Sequence, residues 1–173
     1  MFNFNKNKKL GFTLLESLFA IMIFSMAILG PLALAINSIR FVKFSQNQIT
    51  ASFLAQESAE FVEHVLNVNK STGADWLQEL NDCMGADGCY MDVWAGTIGS
   101  AITACPVGGC PLVKYNSSNG YYDYGALSDD TIFFRKVQIT EIVDDQEVKV
   151  VVTINWQERL FIKTFSIERY LYY

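Results

Sequence analysis

The chain has 173 residues, a formal net charge of −5 and 51% hydrophobic residues, which suits one modest domain plus an apolar segment. The acidic balance argues against nucleic-acid binding by overall charge, and a single histidine leaves little room for histidine-based catalysis or metal binding. Four cysteines suit either disulfides in an exported domain or a metal site.

A long apolar segment near the N-terminus is the first element of the chain. Residues 17–39 contain no charged side chain, and a run of 18 or more such residues predicts a membrane-spanning helix. The alternative is a helix buried on all sides in a soluble core, but a chain of this length is too short to surround it. Lysines precede the segment and the body is acidic, so the body should lie outside the cytoplasm.

The residues before this segment combine a possible cleavage site with one carboxylate. A cut after Gly11 removes only the basic leader and keeps the whole apolar helix in the mature chain. Phe12 is then the first mature residue and Glu16 the fifth. A charge at the centre of a membrane span costs about 2.5–3.5 kcal/mol, so Glu16 should have a partner. The nearest candidate cation is the new α-amino group of Phe12 on a neighbouring chain.

Residues 11–16, Gly-Phe-Thr-Leu-Leu-Glu, together with the apolar helix resemble the type IV pilin and type II secretion pseudopilin superfamily. The resemblance covers about the first quarter of the chain. It implies a prepilin peptidase that cuts after Gly11 and N-methylates Phe12, and an assembly role for Glu16. A chance match in a plain single-pass anchor is the alternative.

The helix is predicted to continue well beyond the apolar segment. Gly30 and Pro31 lie inside the span and predict a kink or local melting, because proline removes one helical hydrogen bond. From Arg40 the pattern becomes amphipathic, and without Gly or Pro the helix is predicted to reach about Val68. The apolar side chains expected to face a sheet are Leu54, Phe61, Val65 and Val68. A short second helix is predicted at 74–80.

Residues 82–130 contain all four cysteines and eight of the eleven glycines, with little periodicity. Each close pair of cysteines brackets a glycine-rich turn, which favours Cys83–Cys89 and Cys105–Cys110 among the three possible connectivities. Zinc binding by all four is the alternative, although the spacings are longer than the usual C-x2-C.

Three further features of the sequence are candidate binding sites. Asp82, Asp87 and Asp92 lack the regular spacing of a calcium-binding loop. The tyrosine-rich stretch at 120–125 is either a contact surface or packing over a small sheet. His64, beside acidic residues on the amphipathic helix, is predicted to be an ordinary surface or interface residue.

From residue 131 the apolar residues alternate with period two. The pattern predicts antiparallel strands at roughly 131–143, 147–157 and 160–172. The fold class is therefore α+β, with a long N-terminal helix, membrane-spanning in its first half, packed on a C-terminal antiparallel sheet of at least three strands, as in pilins.

The predicted organisation has three parts: a leader at 1–11, a transmembrane or fibre-core helix at 12–39, and an exported domain at 40–173, including the insert 82–130 and the sheet 131–172. We identify no catalytic residue, metal ligand set or cofactor, so the chain is predicted not to be an enzyme.

The resemblance implies a structural minor pilin in a type IV pilus-like fibre or its tip or initiation complex. The alternatives are a minor pseudopilin of a type II secretion system and a membrane-anchored tip adhesin or DNA-uptake module. The implied partners are the prepilin peptidase, major and minor pilins through the N-terminal helix, the inner-membrane assembly platform and membrane lipid, with no nucleic acid expected. The implied location is the inner membrane as a single-pass protein, and then the pilus or pseudopilus.

Overall fold

The computed structural model describes residues 13–173 and begins with one long helix. Helix α1 (Leu14–Thr72) has 59 residues and ends slightly later than the predicted Val68. Gly73 follows with φ 71°, a left-handed value that glycine adopts easily and that terminates helices. The predicted long helix is therefore confirmed, with a glycine at its end.

Short and long strands, a 3-10 turn and a short second helix follow the first helix. In chain order these elements are a 3-10 turn (Asn81–Cys83), β1 (Cys89–Met91), α2 (Ile98–Ala101), β2 (Ile102–Ala104), β3 (Leu112–Asn116), β4 (Tyr121–Asp123), β5 (Asp129–Val143), β6 (Glu147–Glu158) and β7 (Phe161–Tyr172). In the described part of the chain every strand pairing is antiparallel, and the sheet has seven strands. The three predicted strands are confirmed as β5, β6 and β7, whereas the four short strands were not predicted.

Strand β5 is the centre of the sheet. It pairs with β6 on one side and with β1 and β3 on the other, while β2 and β4 extend the sheet outward from β1 and β3. Strands β5, β6 and β7 form two successive hairpins. Such hairpins are local in sequence, which explains why their alternating pattern is easy to recognise.

The core lies between the outer part of α1 and the inner face of the sheet. On β6 every even-numbered side chain from Val148 to Trp156 is buried, as the alternation predicts. On α1 the buried apolar side chains include three alanines; the full set is Ala51, Leu54, Ala55, Ala59, Val62, Val65 and Leu66. The small alanine side chains allow the helix to lie close to the sheet. The predicted inward residues Phe61 and Val68 are only half-buried.

The predicted second helix at 74–80 is wrong, because this segment consists of turns. The buried Asn69 side chain donates hydrogen bonds to the carbonyls of Trp76 at 3.0 Å and Gln78 at 2.9 Å. Glu79 has φ 69°, which a helix does not accommodate. The large apolar side chains of this segment are nevertheless buried: Trp76, Leu77 and Leu80.

The chain divides into two compact units between Gln46 and Asn47. The second unit, Asn47–Tyr173, contains the outer part of α1, the sheet and the whole buried core.

Candidate functional site

Glu16 lies in the first turn of α1, where Thr13 caps the helix. The Glu16 backbone N–H donates to the Thr13 hydroxyl at 3.3 Å and to the Thr13 carbonyl at 3.1 Å. Threonine followed three residues later by glutamate is the capping-box pattern, so these residues also specify where the helix begins. The cap is not among the features predicted above, although the Thr-x-x-Glu spacing of residues 13–16 in the sequence indicates a helix start here.

The Glu16 carboxylate itself is exposed. Within residues 13–173 it has no ion-pair partner. The structure therefore leaves this acid accessible to a cation from another chain, as its predicted assembly role requires. Gly11 and Phe12, the predicted cleavage and methylation residues, lie outside the described residues.

The apolar part of α1 has the composition of a membrane span. Its best 18-residue window has a mean hydropathy of 2.4, and none of that window is buried. Among the described residues, α1 is the one helix that is long and apolar enough to cross a membrane. It continues through Gly30 and Pro31 without a break, so the expected local melting does not occur there, and the kink stays a prediction.

Within the unit Asn47–Tyr173, a buried ion pair connects the helix with the sheet. Arg135 on β5 is completely buried, and its Nη1 lies 2.8 Å from a Glu57 carboxylate oxygen on α1. Its Nη2 donates to the Met91 carbonyl on β1. The Tyr124 ring lies beneath the guanidinium, 5.6 Å from its centre. One side chain thus connects α1 with β1, β5 and the segment after β4.

The surroundings of Arg135 keep it charged. Burial alone would lower its pKa, but the Tyr124 oxygen and the Glu57 carboxylate outweigh that effect and raise the pKa above its ordinary value. Burial also raises the pKa of the Tyr124 phenol, and the Arg135 charge opposes only part of that shift. Arg135 is therefore a permanent buried cation whose counter-charge is Glu57.

Two disulfides lie side by side in the insert. Cys83 is bonded to Cys89, with Cα atoms 4.5 Å apart, and Cys105 is bonded to Cys110, with Cα atoms 4.6 Å apart. These are the two local pairs favoured by the sequence, and they use the sulfur atoms that a zinc site would need. The Cys105 N–H donates to the Gly88 carbonyl at 2.9 Å, which connects the two cross-linked turns.

Gly88 occupies a position that only glycine fits. Its φ is 67°, and a Cβ atom built on it would lie 2.5 Å from the Val137 carbonyl oxygen. The close approach lets β1 pair with β5 at Cys89 and Val137. The first disulfide therefore lies directly against the central strand.

Removing the Cys83–Cys89 disulfide is expected to lower the free energy of unfolding by about 2 kcal/mol, because the closed loop is short. Both cysteines are fully buried, so the Cys83→Ser/Cys89→Ser double variant also places two serine hydroxyl groups in the core. Urea unfolding of that variant should be compared with urea unfolding of Cys105→Ser/Cys110→Ser.

Non-reducing peptide mapping of wild-type protein from the cell envelope should recover both local pairs, and free thiols or a crossed connectivity would contradict them.

The tyrosine-rich stretch divides between packing and exposure. Tyr124 packs inward against Tyr90, with ring centroids 4.7 Å apart, and beside Arg135. Tyr121 is 41% exposed, and its ring stacks on Trp94 with centroids 3.7 Å apart and planes 11° apart. The packing alternative therefore describes Tyr124, whereas a contact surface at the exposed Tyr121 stays a prediction.

The acidic residues considered for calcium do not converge. Within residues 13–173, one group of three acidic side chains lies close together, and it consists of Glu141, Asp144 and Asp145 at the turn between β5 and β6. All three are partly or fully exposed, which is ordinary for a hairpin turn. His64 is exposed on α1, as predicted.

Comparison with known families identifies the N-terminal segment. Residues 6–30 match the family model for the prokaryotic N-terminal methylation motif. No curated protein and no solved structure matches the chain.

The fold and the N-terminal segment define a class of structural subunit in which an apolar helix leads into a disulfide-containing α+β domain. The methylation motif is that of the type IV pilin and pseudopilin superfamily, and the long helix with its antiparallel sheet is pilin-like. The motif points to a structural protein that a prepilin peptidase processes and that assembles with other pilins. It also suggests a single-pass membrane anchor that later enters a pilus.

Proposed function

We propose that this protein is a minor pilin, a structural subunit of a type IV pilus-like fibre or of its tip or initiation complex. The observation that carries the proposal is the methylation motif joined to an exposed apolar helix that continues into the exported unit. In this mechanism the apolar residues contact lipid before assembly and neighbouring helices afterwards. No catalytic step is involved.

The proposal assigns a role to each part of the chain. Residues 1–11 are the leader, 12–39 anchor the subunit and later form the fibre core, and 40–173 lie outside the cytoplasmic membrane. The two disulfides support an oxidising location for the last part, because such bonds persist mainly in exported proteins. The assembly platform and the other pilins then act on a subunit that is already folded.

A minor pseudopilin of a type II secretion system is the second candidate, since the same motif serves both classes. The disulfide-stabilised insert and the exposed Trp94–Tyr121 stack favour a domain displayed on a pilus. Immunogold labelling of sheared fibres tests the choice. Labelled surface fibres are expected, whereas label confined to the envelope together with a loss of protein secretion on deletion would favour the pseudopilin.

Processing is tested by Gly11→Leu, which is expected to leave an uncut precursor that is 11 residues longer than the mature chain. A bulky side chain at the cut should exclude the precursor from the peptidase. Intact mass spectrometry of the membrane fraction measures the result. Gly30→Leu is the matched control, because a Cβ atom at Gly30 meets no other atom within 4 Å and the cut should proceed normally. A wild-type protein that begins at Met1, or is cut after Ile36, would contradict the pilin assignment.

A further inference from the structure

An open groove of about 750 Å³ lies between the outer part of α1 and the segment that follows β1. It belongs entirely to the unit Asn47–Tyr173. Helix α1 forms one wall, and the other wall consists of Val93, Trp94 and Tyr122. The lining side chains of α1 that matter for recognition are Phe53, Glu57, Glu60, Phe61 and His64.

Aromatic side chains dominate this groove, and two of them are unusually exposed. Phe53 is 64% exposed and Trp94 is 50% exposed, whereas Trp76 and Trp156 are buried. Large apolar side chains that are exposed close together often mark a binding site, because their exposure to water does not stabilise the isolated subunit. Neither ring has a role in the core or in the Arg135–Glu57 ion pair.

Local contacts hold Trp94 in place before any partner arrives. Its ring stacks on Tyr121. Its backbone N–H donates to the Asp92 carboxylate at 3.2 Å, and the Asp92 backbone N–H donates to the Ala101 carbonyl at 2.7 Å. A fixed aromatic ring loses little entropy when it binds a partner.

The charges around the groove have one sign. Among residues 13–173, its lining contains two carboxylates and one histidine, and no lysine or arginine. Glu57 is already paired with Arg135, so its charge is largely compensated. Glu60 is exposed and has no ion-pair partner within the described part of the chain. The groove therefore offers one uncompensated carboxylate beside exposed aromatic rings.

We propose that this groove binds an extended segment of another protein that presents an arginine or lysine between apolar side chains. The cation lies over an aromatic face and pairs with Glu60, while the flanking apolar side chains pack on Phe53 and Phe61. Arginine suits such a site best, because its planar guanidinium stacks on aromatic rings and binds carboxylates at the same time. The site is separate from the span and from Glu16.

The test measures binding of a labelled, capped peptide, Gly-Leu-Arg-Leu-Gly, to the full-length protein in detergent micelles by fluorescence anisotropy. A peptide with citrulline in place of arginine is the matched probe, since it has nearly the same shape and no charge. We expect the arginine peptide to bind roughly tenfold more tightly. Glu60→Gln is expected to remove most of that difference, and Trp94→Ala to weaken binding of both peptides roughly tenfold.

Asp144→Asn is the matched control, because it removes an exposed carboxylate at the turn between β5 and β6, outside the groove. Its binding should equal that of the wild type. Equal binding of the two peptides, or unchanged binding by Glu60→Gln and Trp94→Ala with wild-type thermal stability, would overturn the proposal. Binding of a neutral oligosaccharide such as cellohexaose, without binding of the arginine peptide, would assign the groove to carbohydrate instead.

Discussion

Glu57→Ala is expected to lower the free energy of unfolding by about 3 kcal/mol. The change leaves the Arg135 guanidinium buried without its counter-charge, and breaking a buried pair in this way typically costs about 3–5 kcal/mol. We expect the low end of that range, because 28% of the Glu57 side chain is exposed and water can partly replace it. Alanine is the best helix former, so α1 itself should not suffer. Urea unfolding of the full-length protein in micelles, followed by tryptophan fluorescence, measures the loss.

Glu63→Ala provides a matched control on the same helix. Glu63 pairs with Arg169 on β7 at 3.4 Å, but 47% and 35% of their side chains are exposed. Exposed pairs contribute only about 0–1 kcal/mol, so this variant should unfold nearly as the wild type does. Adding Arg135→Met to Glu57→Ala should restore much of the lost stability, since methionine removes the stranded charge. Equal losses in Glu57→Ala and Glu63→Ala would show that burial does not set the value of the first pair.

One residue of the sequence, Arg135, indicates a buried ion pair by its position alone. On β5 every second side chain points inward, and Arg135 occupies one of these positions among apolar residues. The inward side chains are Phe133, Arg135, Val137 and Ile139. A charge in such a position must be paired, which predicts a carboxylate on the facing element. The choice of Glu57 among the acidic residues of α1 depends on how the helix and sheet are packed, and no local pattern contains that information.

The predicted strands are much longer than the unpredicted ones, and some of the unpredicted ones also pair with distant segments. The β3–β4 hairpin is local, but it pairs at only three positions. Strands β5 to β7 are long and joined by short turns, so alternation alone identifies them. Strand β1 has only three residues and pairs with β5 at a single position, Cys89 with Val137. Its existence depends on the disulfides and on the close approach at Gly88, which are tertiary features. The predicted helix at 74–80 failed because a side chain outside that segment, the buried Asn69 near the end of α1, stabilises turns there.

The Thr-x-x-Glu pattern at the start of α1 affects how an assembly role for Glu16 must be tested. The observed contact uses the Glu16 backbone N–H, which leucine keeps, but Glu16→Leu removes both the charge and the side-chain acceptor of the capping-box pattern. A loss of assembly by that variant alone would therefore have two explanations. Glu16→Gln separates them, because glutamine also serves at this position of a capping box but carries no charge.

Glu16→Gln is expected to insert into the membrane and to be cleaved normally, yet to be recovered in sheared fibres roughly tenfold less than the wild type. The reason is that a carboxylate at the edge of the hydrocarbon is costly unless a cation meets it, and the proposed cation is the Phe12 α-amino group of an adjacent subunit. In an array of parallel helices, that pairing fixes the axial offset between neighbours. Glu16→Leu should assemble as poorly as Glu16→Gln.

Two measurements make this result interpretable. Intact mass spectrometry of the membrane fraction should show mature N-termini in all variants, and crosslinking to other pilins should fall in parallel with fibre recovery. The family resemblance implies that the subunit capping such a fibre lacks this acid, because no neighbour above it supplies an amine. A subunit with Glu16 should therefore sit below the cap. Recovery of Glu16→Gln at the wild-type level, with loss of Glu16→Leu alone, would assign the residue to helix capping, and both the charge-pairing mechanism and the placement below the cap would fail.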